Sequence, residues 1–420
     1  MKLIETIETF ISGDWGNESH TEDTPCEVFC VRGADIEPIK NQDYNHIPKR
    51  YISKRSYENK LLQVGDIIVE KSGGSPTQST GRVCLITPNL IEKLQSVDCS
   101  NFCAAFRVKK EWDAEYIYLY IQHFYNMGAF FNFEGKTSGI KNLQLEQAYQ
   151  AIEIKPISIA EQKKLAKTIR TIDGKTAINR SINQNLEAMA KQLYDYWFVQ
   201  FDFPNKDGKP YKSSGGEMVW NEKLKRMIPK EWTNANIYQL ASISKETVNP
   251  QAQSNELFKH YSLPEYDKTG TYAEEYGIDI QSAKFIVTNN CILVSKLNPW
   301  TSRVICGNRG SNQICSTEFV VWNPVSLKTK GFLFMLAKSA KFIEYCTQGA
   351  TGTSHSHRRI NPELMMKFDF PYNSEIAIKF SLLIENIIVH LHNNIAQLKV
   401  LTKQRDELLP LLMNGQITIE

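Results

Sequence analysis

The sequence predicts an α+β protein in which two similar mixed α/β lobes are held apart by two long antiparallel coiled-coil helices. Three observations lead to this prediction. Two long segments carry one apolar stripe at helical spacing, each follows a proline that ends an extended stretch, and these prolines, Pro156 and Pro371, lie about half the chain length apart. A pattern that recurs at half the chain length indicates an internal duplication.

The first predicted lobe covers residues 1–158. Short β-branched runs bounded by Gly, Asn or Pro, such as GRVCLI and NFCAAFRV, are typical of strands. The segment EWDAEYIYLYIQHFYNMG, which follows them, predicts a short helix. The lobe is therefore mixed α/β and leads directly into the first long helix.

The first long helix is predicted over 159–200, where apolar residues recur in steps of three and four. A helix of about 40 residues is about 60 Å long. A lobe of about 150 residues cannot cover so long a stripe, so the helix needs a second helix as its partner. The predicted seam on this helix consists of Leu165, Ile169, Ile172, Ile182, Leu186 and Leu193.

The second half repeats this order after a linker at 201–232 that is rich in Lys, Gly, Ser and Pro. The second lobe is predicted at 233–373, the second long helix at 374–413, and a tail at 414–420. Pro410 and Gly415 are expected to stop the helix. The predicted seam on the second helix consists of Ile384, Ile387, Leu391, Leu398, Leu401 and Leu408.

The composition is that of an ordinary soluble globular protein, with 42% hydrophobic and 23% charged residues. No apolar run approaches the ~18 residues that span a bilayer, and the N-terminus lacks a signal-peptide pattern. These features predict a cytoplasmic protein. In that compartment the nine cysteines are expected to be reduced thiols rather than disulfides or metal ligands.

A search for catalytic motifs finds none. Asn298-Pro299-Trp300 resembles the N-P-P-[YF] motif of amino-methyltransferases but lacks the second proline, and no glycine-rich cofactor loop precedes it. Neither phosphate-loop pattern is present, and no Ser/His/Asp or Cys/His arrangement is indicated. The sequence therefore predicts no catalytic residue, no metal site and no cofactor.

Basic residues in polar, glycine-containing loops of both lobes are the candidate ligands for DNA. Arg and Lys bind phosphates or guanine edges, and glycine lets backbone amides approach closely. The alternative is that these loops are merely solvated, but matched basic loops before both long helices favour binding. The candidates are Lys71, Arg82, Lys136, Lys141, Lys296, Arg303, Arg309, His355, Arg358 and Arg359.

The region around the first long helix resembles the central conserved region of type I restriction–modification specificity subunits. The residues that carry the resemblance are Glu161-Gln162 at the helix start, Asn185-Leu186-Glu187-Ala188 within it, and the segment from Trp197 to Pro204. The second helix departs from the pattern, because Ser374-Glu375-Ile376 stands where the family has an acidic residue followed by glutamine.

The resemblance implies that each lobe is a target-recognition domain that reads one half of a bipartite DNA site in the major groove. It further implies that the helices set the spacer between the half-sites and dock two methyltransferase subunits, to which motor-nuclease subunits attach. Catalysis, S-adenosylmethionine, ATP and magnesium would then belong to the partners. The alternative kept open is an architectural coiled-coil protein whose lobes bind other proteins.

Overall fold

The computed structural model describes residues 1–73, 78–137, 140–308, 310–352, 357–413 and 415–416, with only the backbone of residues 136 and 137. The chain divides into two compact units. Unit 1 contains Met1–Ala177 and Val400–Glu420, and unit 2 contains Ile178–Lys399. Two long helices, α6 (Ile159–Tyr194) and α12 (Ser374–Met413), each have one part in either unit. None of the described helices has a segment apolar and long enough to cross a membrane.

Unit 1 contains the first lobe. Its helices are α1 (Ile36–Lys40), α2 (Lys54–Lys60), α3 (Pro88–Leu94), α4 (Ala114–Asn126) and α5 (Leu145–Ala151). Its strands are β1 (Ile7–Ser12), β2 (Cys26–Val31), β3 (Lys49–Ile52), β4 (Ile67–Glu70), β5 (Ser72–Gly73), β6 (Val83–Leu85), β7 (Val97–Cys99), β8 (Cys103–Val108), β9 (Glu134–Thr137) and β10 (Ile140–Leu143). They form three sheets, with strand orders β1-β8-β4-β6, β3-β2-β7 and β5-β10-β9.

Local sequence explains the two elements at the centre of this lobe. Strand β4 is buried along its whole length, which accounts for its unbroken apolar run Ile67-Ile68-Val69. Helix α4 begins where the side chain of Asp113 accepts a hydrogen bond from the backbone N–H of Tyr116 at 3.0 Å. The helix packs its tyrosine and isoleucine side chains into the core cluster that also contains β4 residues.

Unit 2 contains the second lobe. Its shorter helices are α7 (Ile237–Leu240), α8 (Leu263–Thr269), α9 (Lys330–Ala337), α10 (Ala340–Gln348) and α11 (Pro362–Met366). Its strands are β11 (Met218–Asn221), β12 (Arg226–Pro229), β13 (Thr233–Asn236), β14 (Ala241–Ile243), β15 (Thr247–Val248), β16 (Leu257–Tyr261), β17 (Ala273–Tyr276), β18 (Lys284–Ile286), β19 (Ile292–Ser295), β20 (Val304–Cys306), β21 (Gln313–Cys315), β22 (Phe319–Pro324) and β23 (Asp369–Tyr372). The larger sheets have the orders β14-β22-β19-β20 and β15-β18-β21-β16-β17.

The two lobes repeat one topology. The sheet β1-β8-β4-β6 of unit 1 has its counterpart in β14-β22-β19-β20 of unit 2. Each lobe also contains a parallel strand pair, β2 with β7 and β16 with β21. The backbone N–H of Glu70 donates to the carbonyl of Arg82 at 2.9 Å, and that of Ser295 donates to the carbonyl of Arg303 at 3.0 Å. The internal duplication expected from the sequence is therefore present in the fold.

The long helices pair antiparallel within each unit. In unit 1 the guanidinium of Arg405 donates to Asp173 at 2.8 Å, and the start of α6 shares a core cluster with the end of α12. In unit 2 the amide of Asn179 donates to Gln397 at 3.1 Å, and the rings of Tyr194 and Phe380 lie 5.9 Å apart. Residues further along α6 therefore contact residues nearer the start of α12, so the two helices are antiparallel, as the predicted fold class requires.

The burial of the predicted seam residues falls into three groups. Four of them are buried, namely Leu165, Ile169, Ile384 and Leu391. Seven others are half-buried, namely Ile172, Leu186, Leu193, Ile387, Leu398, Leu401 and Leu408. The prediction for Ile182 is corrected, because its side chain is 41% exposed. The apolar spacing suggested Ile182 as a seam residue. In this part of the helix pair, however, α6 and α12 contact each other through the polar residues Asn179 and Gln397.

The helix ends differ in detail from the prediction. Helix α6 closes with a single π-helical turn, Asp195–Val199, in which Trp197 and Phe198 are buried. Pro410 was expected to stop α12, but it lies inside the helix, which continues to Met413. A proline removes one backbone hydrogen bond and crowds the preceding turn, yet the residues after Pro410 remain helical to Met413. Gly415, with φ of 67°, adopts the left-handed conformation beyond the helix.

A buried carboxyl group lies in the first lobe at Asp98 on β7. Its Oδ1 accepts the backbone N–H of Cys99 at 2.6 Å, while Oδ2 has no hydrogen-bond partner among the described residues. Burial raises the pKa of Asp98 to about 7. The folded protein therefore retains a proton on Asp98 at pH values where the unfolded chain, with a carboxyl pKa near 3.8, has lost it.

This carboxyl group predicts a pH-dependent stability of unit 1. Its contribution is fully present below pH 3.8 and is lost as the pH rises through about 7, since only the unfolded chain releases the proton in between. At about 1.4 kcal/mol per pH unit, the free energy of unfolding should fall by about 2–3 kcal/mol from pH 5 to pH 7. Asp98→Asn should lack this fall, as measured by hydrogen exchange in β2 and β7.

The matched control is Asp23→Asn, which alters an exposed carboxylate in the same lobe and should keep the wild-type pH profile. Parallel pH profiles for the wild type and Asp98→Asn would show that Asp98 does not control the pH dependence.

Candidate nucleic-acid interface

The described candidate residues lie at one corner of each lobe. Corner 1 consists of the described residues within 70–82 and 134–143, and corner 2 consists of the described residues within 295–303 and 350–360. In each corner a loop joins two antiparallel strands of the four-stranded sheet, β4 to β6 or β19 to β20. A second segment then pairs with the start of that loop, through β5 and β10 in corner 1 and through the bridge between Leu297 and Arg359 in corner 2.

Backbone hydrogen bonds show that the two corners are equivalent. The N–H of Lys71 donates to the carbonyl of Phe102, and the N–H of Lys296 donates to the carbonyl of Glu318, both at 2.9 Å. The carbonyl of Lys71 accepts from Leu143 at 2.7 Å, and that of Lys296 accepts from Ile360 at 3.0 Å. By these bonds Lys71 corresponds to Lys296, Arg82 to Arg303, Lys141 to Arg358, and Asn142 to Arg359.

Two cations of corner 1, Arg82 and Lys141, are paired with carboxylates within the lobe. Arg82 donates to both oxygens of Glu70 at 2.8 and 2.6 Å, and the two side chains are only 12% and 3% exposed. Lys141 lies 3.2 Å from Glu134, which also accepts the backbone N–H of Thr80 at 2.6 Å. Removing one member of such a buried pair typically costs about 3–5 kcal/mol, because the other charge is left unpaired. Both pairs hold the loop of corner 1 in place.

Corner 2 contains Arg303 and Arg358, the cations equivalent to Arg82 and Lys141, and also Arg359, and their partners differ from those in corner 1. Arg303 donates to both oxygens of Asp267 at 2.6 and 2.7 Å, and these hydrogen bonds lower the pKa of the Asp267 carboxyl. Arg359 binds Glu318 with its closest approach at 2.9 Å, and its side chain is 46% exposed. Arg358 donates to the carbonyl of Ala350 at 2.5 Å. Arg359 therefore has its charge at the surface, whereas Arg303, at 14% exposure, is mostly covered.

Lys71 and Lys296 differ from these paired cations. Both side chains are half-buried, and neither ammonium group makes a hydrogen bond or an ion pair with another described residue. Each lysine comes directly after the strand that leads into its corner, β4 or β19. The duplication therefore places, at the same position of each lobe, an ammonium group that has no carboxylate partner among the described residues.

Three further candidates are only partly covered by the structure. Arg309 and His355 lie outside the described residues. Lys136 belongs to β9, where its backbone pairs with Lys141, but its side chain is not described. The role of all ten basic candidates in binding DNA stays a prediction.

The sequence reading missed the carboxylates that complete both corners, namely Glu70, Glu134, Asp267 and Glu318. Loop composition indicates where cations lie but does not show which acidic residues the fold brings beside them. Glu70 carried a usable signal, because an acidic residue ends the otherwise apolar run of β4. A buried strand seldom contains a charge without a partner, so a paired cation nearby could have been expected.

Three comparisons show which known proteins this chain is similar to. The family model for the type I restriction modification DNA specificity domain matches residues 35–188, which include all of corner 1. The specificity subunit of the type I restriction enzyme MjaIX from Methanocaldococcus jannaschii is 24% identical over 282 residues, which cover 64% of this chain and 61% of that subunit. The match thus spans less than two thirds of that relative's length.

The fold also has a solved counterpart. The crystal structure of the S subunit of a type I restriction–modification system from M. genitalium aligns with a TM-score of 0.60 at 13% sequence identity. The alignment covers 98% of this chain and 95% of that one, so the shared fold includes both lobes and both long helices. Residues 35–188 are thus similar to a type I restriction modification DNA specificity domain, and the chain as a whole shares the fold of the M. genitalium S subunit.

Proposed function

We propose that this chain reads a bipartite DNA sequence, with each lobe contacting one half-site in the major groove through its corner. The observation that carries the proposal is the structural equivalence of the two corners, each with basic side chains on a loop fixed by hydrogen bonds. A duplicated reading surface suits a target with two separate halves. Such a loop is a reliable reader because its side chains are already positioned before DNA arrives.

The charges of the corners suggest how reading is divided between residues. Lys71 and Lys296 have no carboxylate partner among the described residues. Contact between these lysines and DNA therefore does not break an ion pair within the described part of the protein. Exposed Arg359 can contact a base or phosphate while Glu318 orients its guanidinium. Buried Arg82 and Lys141 hold the loop of corner 1, and their influence on DNA binding is indirect. Phosphate contacts fix the position of the protein, and base contacts give the sequence preference.

We propose that the long helices dock two methyltransferase subunits, to which motor-nuclease subunits attach. Exposed apolar patches on a protein surface mark interaction sites, and both long helices expose large apolar side chains in unit 2. Met189 on α6 is 58% exposed, and Leu382 and Val389 on α12 are 58% and 53% exposed. Catalysis would then reside in these partners, which would also bind S-adenosylmethionine, ATP and magnesium, and this chain would contribute recognition only.

The test is a binding selection with the assembled complex. The chain is purified with its methyltransferase subunits and incubated with a pool of duplexes that contain a randomised 30-base-pair segment, and the bound DNA is sequenced. We expect enrichment of two short motifs at a fixed separation. The methyltransferase subunits alone are the control and should enrich neither motif. Enrichment of a single motif, or the same result without this chain, would contradict the proposal.

A further inference from the structure

One aromatic side chain lies at the tip of the corner 2 loop, between two of the candidate cations. Trp300 is 41% exposed and lies in the short turn Pro299–Thr301, between Lys296 and Arg303. A large indole is usually mostly buried, since its apolar area is the largest of any side chain. Its position between two candidate cations, rather than its exposure alone, makes Trp300 a side chain of corner 2 that DNA could contact.

The backbone around Trp300 is held firmly. The N–H of Thr301 donates to the carbonyl of Asn298 at 3.0 Å, and the N–H of Asn298 donates to the carbonyl of Arg358 at 2.8 Å. The guanidinium of Arg303 donates to the hydroxyl of Thr301 at 2.5 Å. Since the loop is fixed on both sides, the exposed indole is presented at a defined place.

The loop also uses a costly backbone conformation. Asn298 and Ser302, on either side of the turn, have φ of 49° each, in the left-handed region that asparagine adopts more readily than other non-glycine residues and that serine seldom adopts. The equivalent positions of corner 1 are Gly73 and Gly81, with φ of 132° and 99°. Both lobes thus enter and leave the loop through positive φ, and corner 2 does so without glycine. Strain of this kind persists mainly at binding and catalytic sites.

Resting on the proposed function, we infer that Trp300 is a base-reading residue of the second lobe. Its ring packs against the edge of one base pair in the half-site that corner 2 contacts, and the neighbouring cations contact the phosphates. An apolar ring at this place distinguishes base pairs by shape and by the presence of a thymine methyl group. Trp300 therefore adds sequence preference at one base-pair position of that half-site.

The test compares Trp300→Ala with Trp220→Ala in the complex with the methyltransferase subunits. Trp220 is a matched control because it lies in unit 2, is 53% exposed and belongs to the β11–β12 hairpin, away from the corner. The same pool of randomised duplexes is selected and sequenced, and affinities are then measured on the motif that the wild type selects. Trp300→Phe keeps an aromatic ring and reports whether ring contact matters.

We expect Trp300→Ala to lose the preference at one base-pair position of one half-site and to bind the wild-type motif about tenfold more weakly, the loss of one aromatic anchor. Trp300→Phe should retain most of the preference, and Trp220→Ala should behave as wild type. An unchanged motif with Trp300→Ala, or an equal loss on all sequences, would overturn the inference while leaving the proposed function intact. A wild-type complex that selects no bipartite motif would overturn the proposed function itself.

Discussion

Replacing Lys296 by alanine is expected to weaken contact with one half-site, and replacing Lys71 by alanine is expected to weaken contact with the other. The two lysines occupy equivalent positions of the two lobes, and neither has an ion-pair partner among the described residues. Neither substitution therefore leaves a buried carboxylate unpaired, and the lobe should stay folded. A lost phosphate or base contact costs about 1–3 kcal/mol, which is about 5- to 150-fold in affinity.

The measurement uses duplexes in which one half-site at a time is scrambled. Lys296→Ala should reduce the penalty for scrambling one half-site and leave the penalty for the other unchanged, and Lys71→Ala should show the reverse. If a lysine contacts only phosphates, its substitution also reduces the slope of log K against log salt by about one. Equal changes at both half-sites for either variant would show that the lobes do not read independently.

The same experiment with arginines is expected to be harder to interpret, because some substitutions would also destabilise the lobe. Arg82→Ala would leave Glu70, only 3% exposed, without its cation, so reduced DNA binding would include damage to the lobe. Arg303→Ala would release Asp267, which is 47% exposed and can be solvated, so this variant should remain folded. The arginines at equivalent positions thus differ in what their removal does, because their carboxylates lie at different depths.

The architecture could be predicted because local apolar periodicity indicates the long helices and repetition indicates the two lobes. The apolar stepping defined both long helices to within a few residues, and the recurrence after Pro156 and Pro371 indicated two lobes. The parallel pairing of β2 with β7 and of β16 with β21 was not predictable from these patterns. Each of those pairs joins strands separated by many residues, and an apolar run does not specify its partner or its register.

The corners could be predicted only in part, since composition indicates basic loops but not what surrounds them. The sequence does not show that Asp267 on α8 reaches Arg303, or that Glu134 lies beside both Thr80 and Lys141. It also gave Trp300 no role beyond an incomplete methyltransferase motif. The exposure of that ring depends on the left-handed backbone of its neighbours. Neither asparagine nor serine specifies a left-handed conformation by its residue type alone.

Inserting four residues after Arg180 in α6 and four after Ile395 in α12 is expected to increase the spacer between the half-sites by one or two base pairs. Four helical residues add about 6 Å and rotate the helix by about 40° beyond a full turn. One base pair adds about 3.4 Å and about 35° of twist, so the rotation matches one base pair and the length nearly two. Both helices are lengthened because Asn179 and Gln397 bond at this height.

The insertion point is chosen for its chemistry. The contact between the helices is polar here, and the side-chain oxygen of Asn183 has no hydrogen-bond partner among the described residues. An inserted turn therefore displaces no apolar side chain from a buried position, and the buried residues on either side, Ile169 and Ile384, keep their own neighbours. The motif is read by sequencing methylated bases in cells that carry the complex.

The half-site sequences should stay unchanged while their separation grows, since neither corner is altered. Insertion into α6 alone is the control, and it should abolish methylation because one helix then bulges against a partner of the original length. If the doubly lengthened protein folds and still methylates the original spacing, helix length does not set the gap. The reading function of the corners would survive that result, because it depends on contacts within each lobe and not on the helices that connect them.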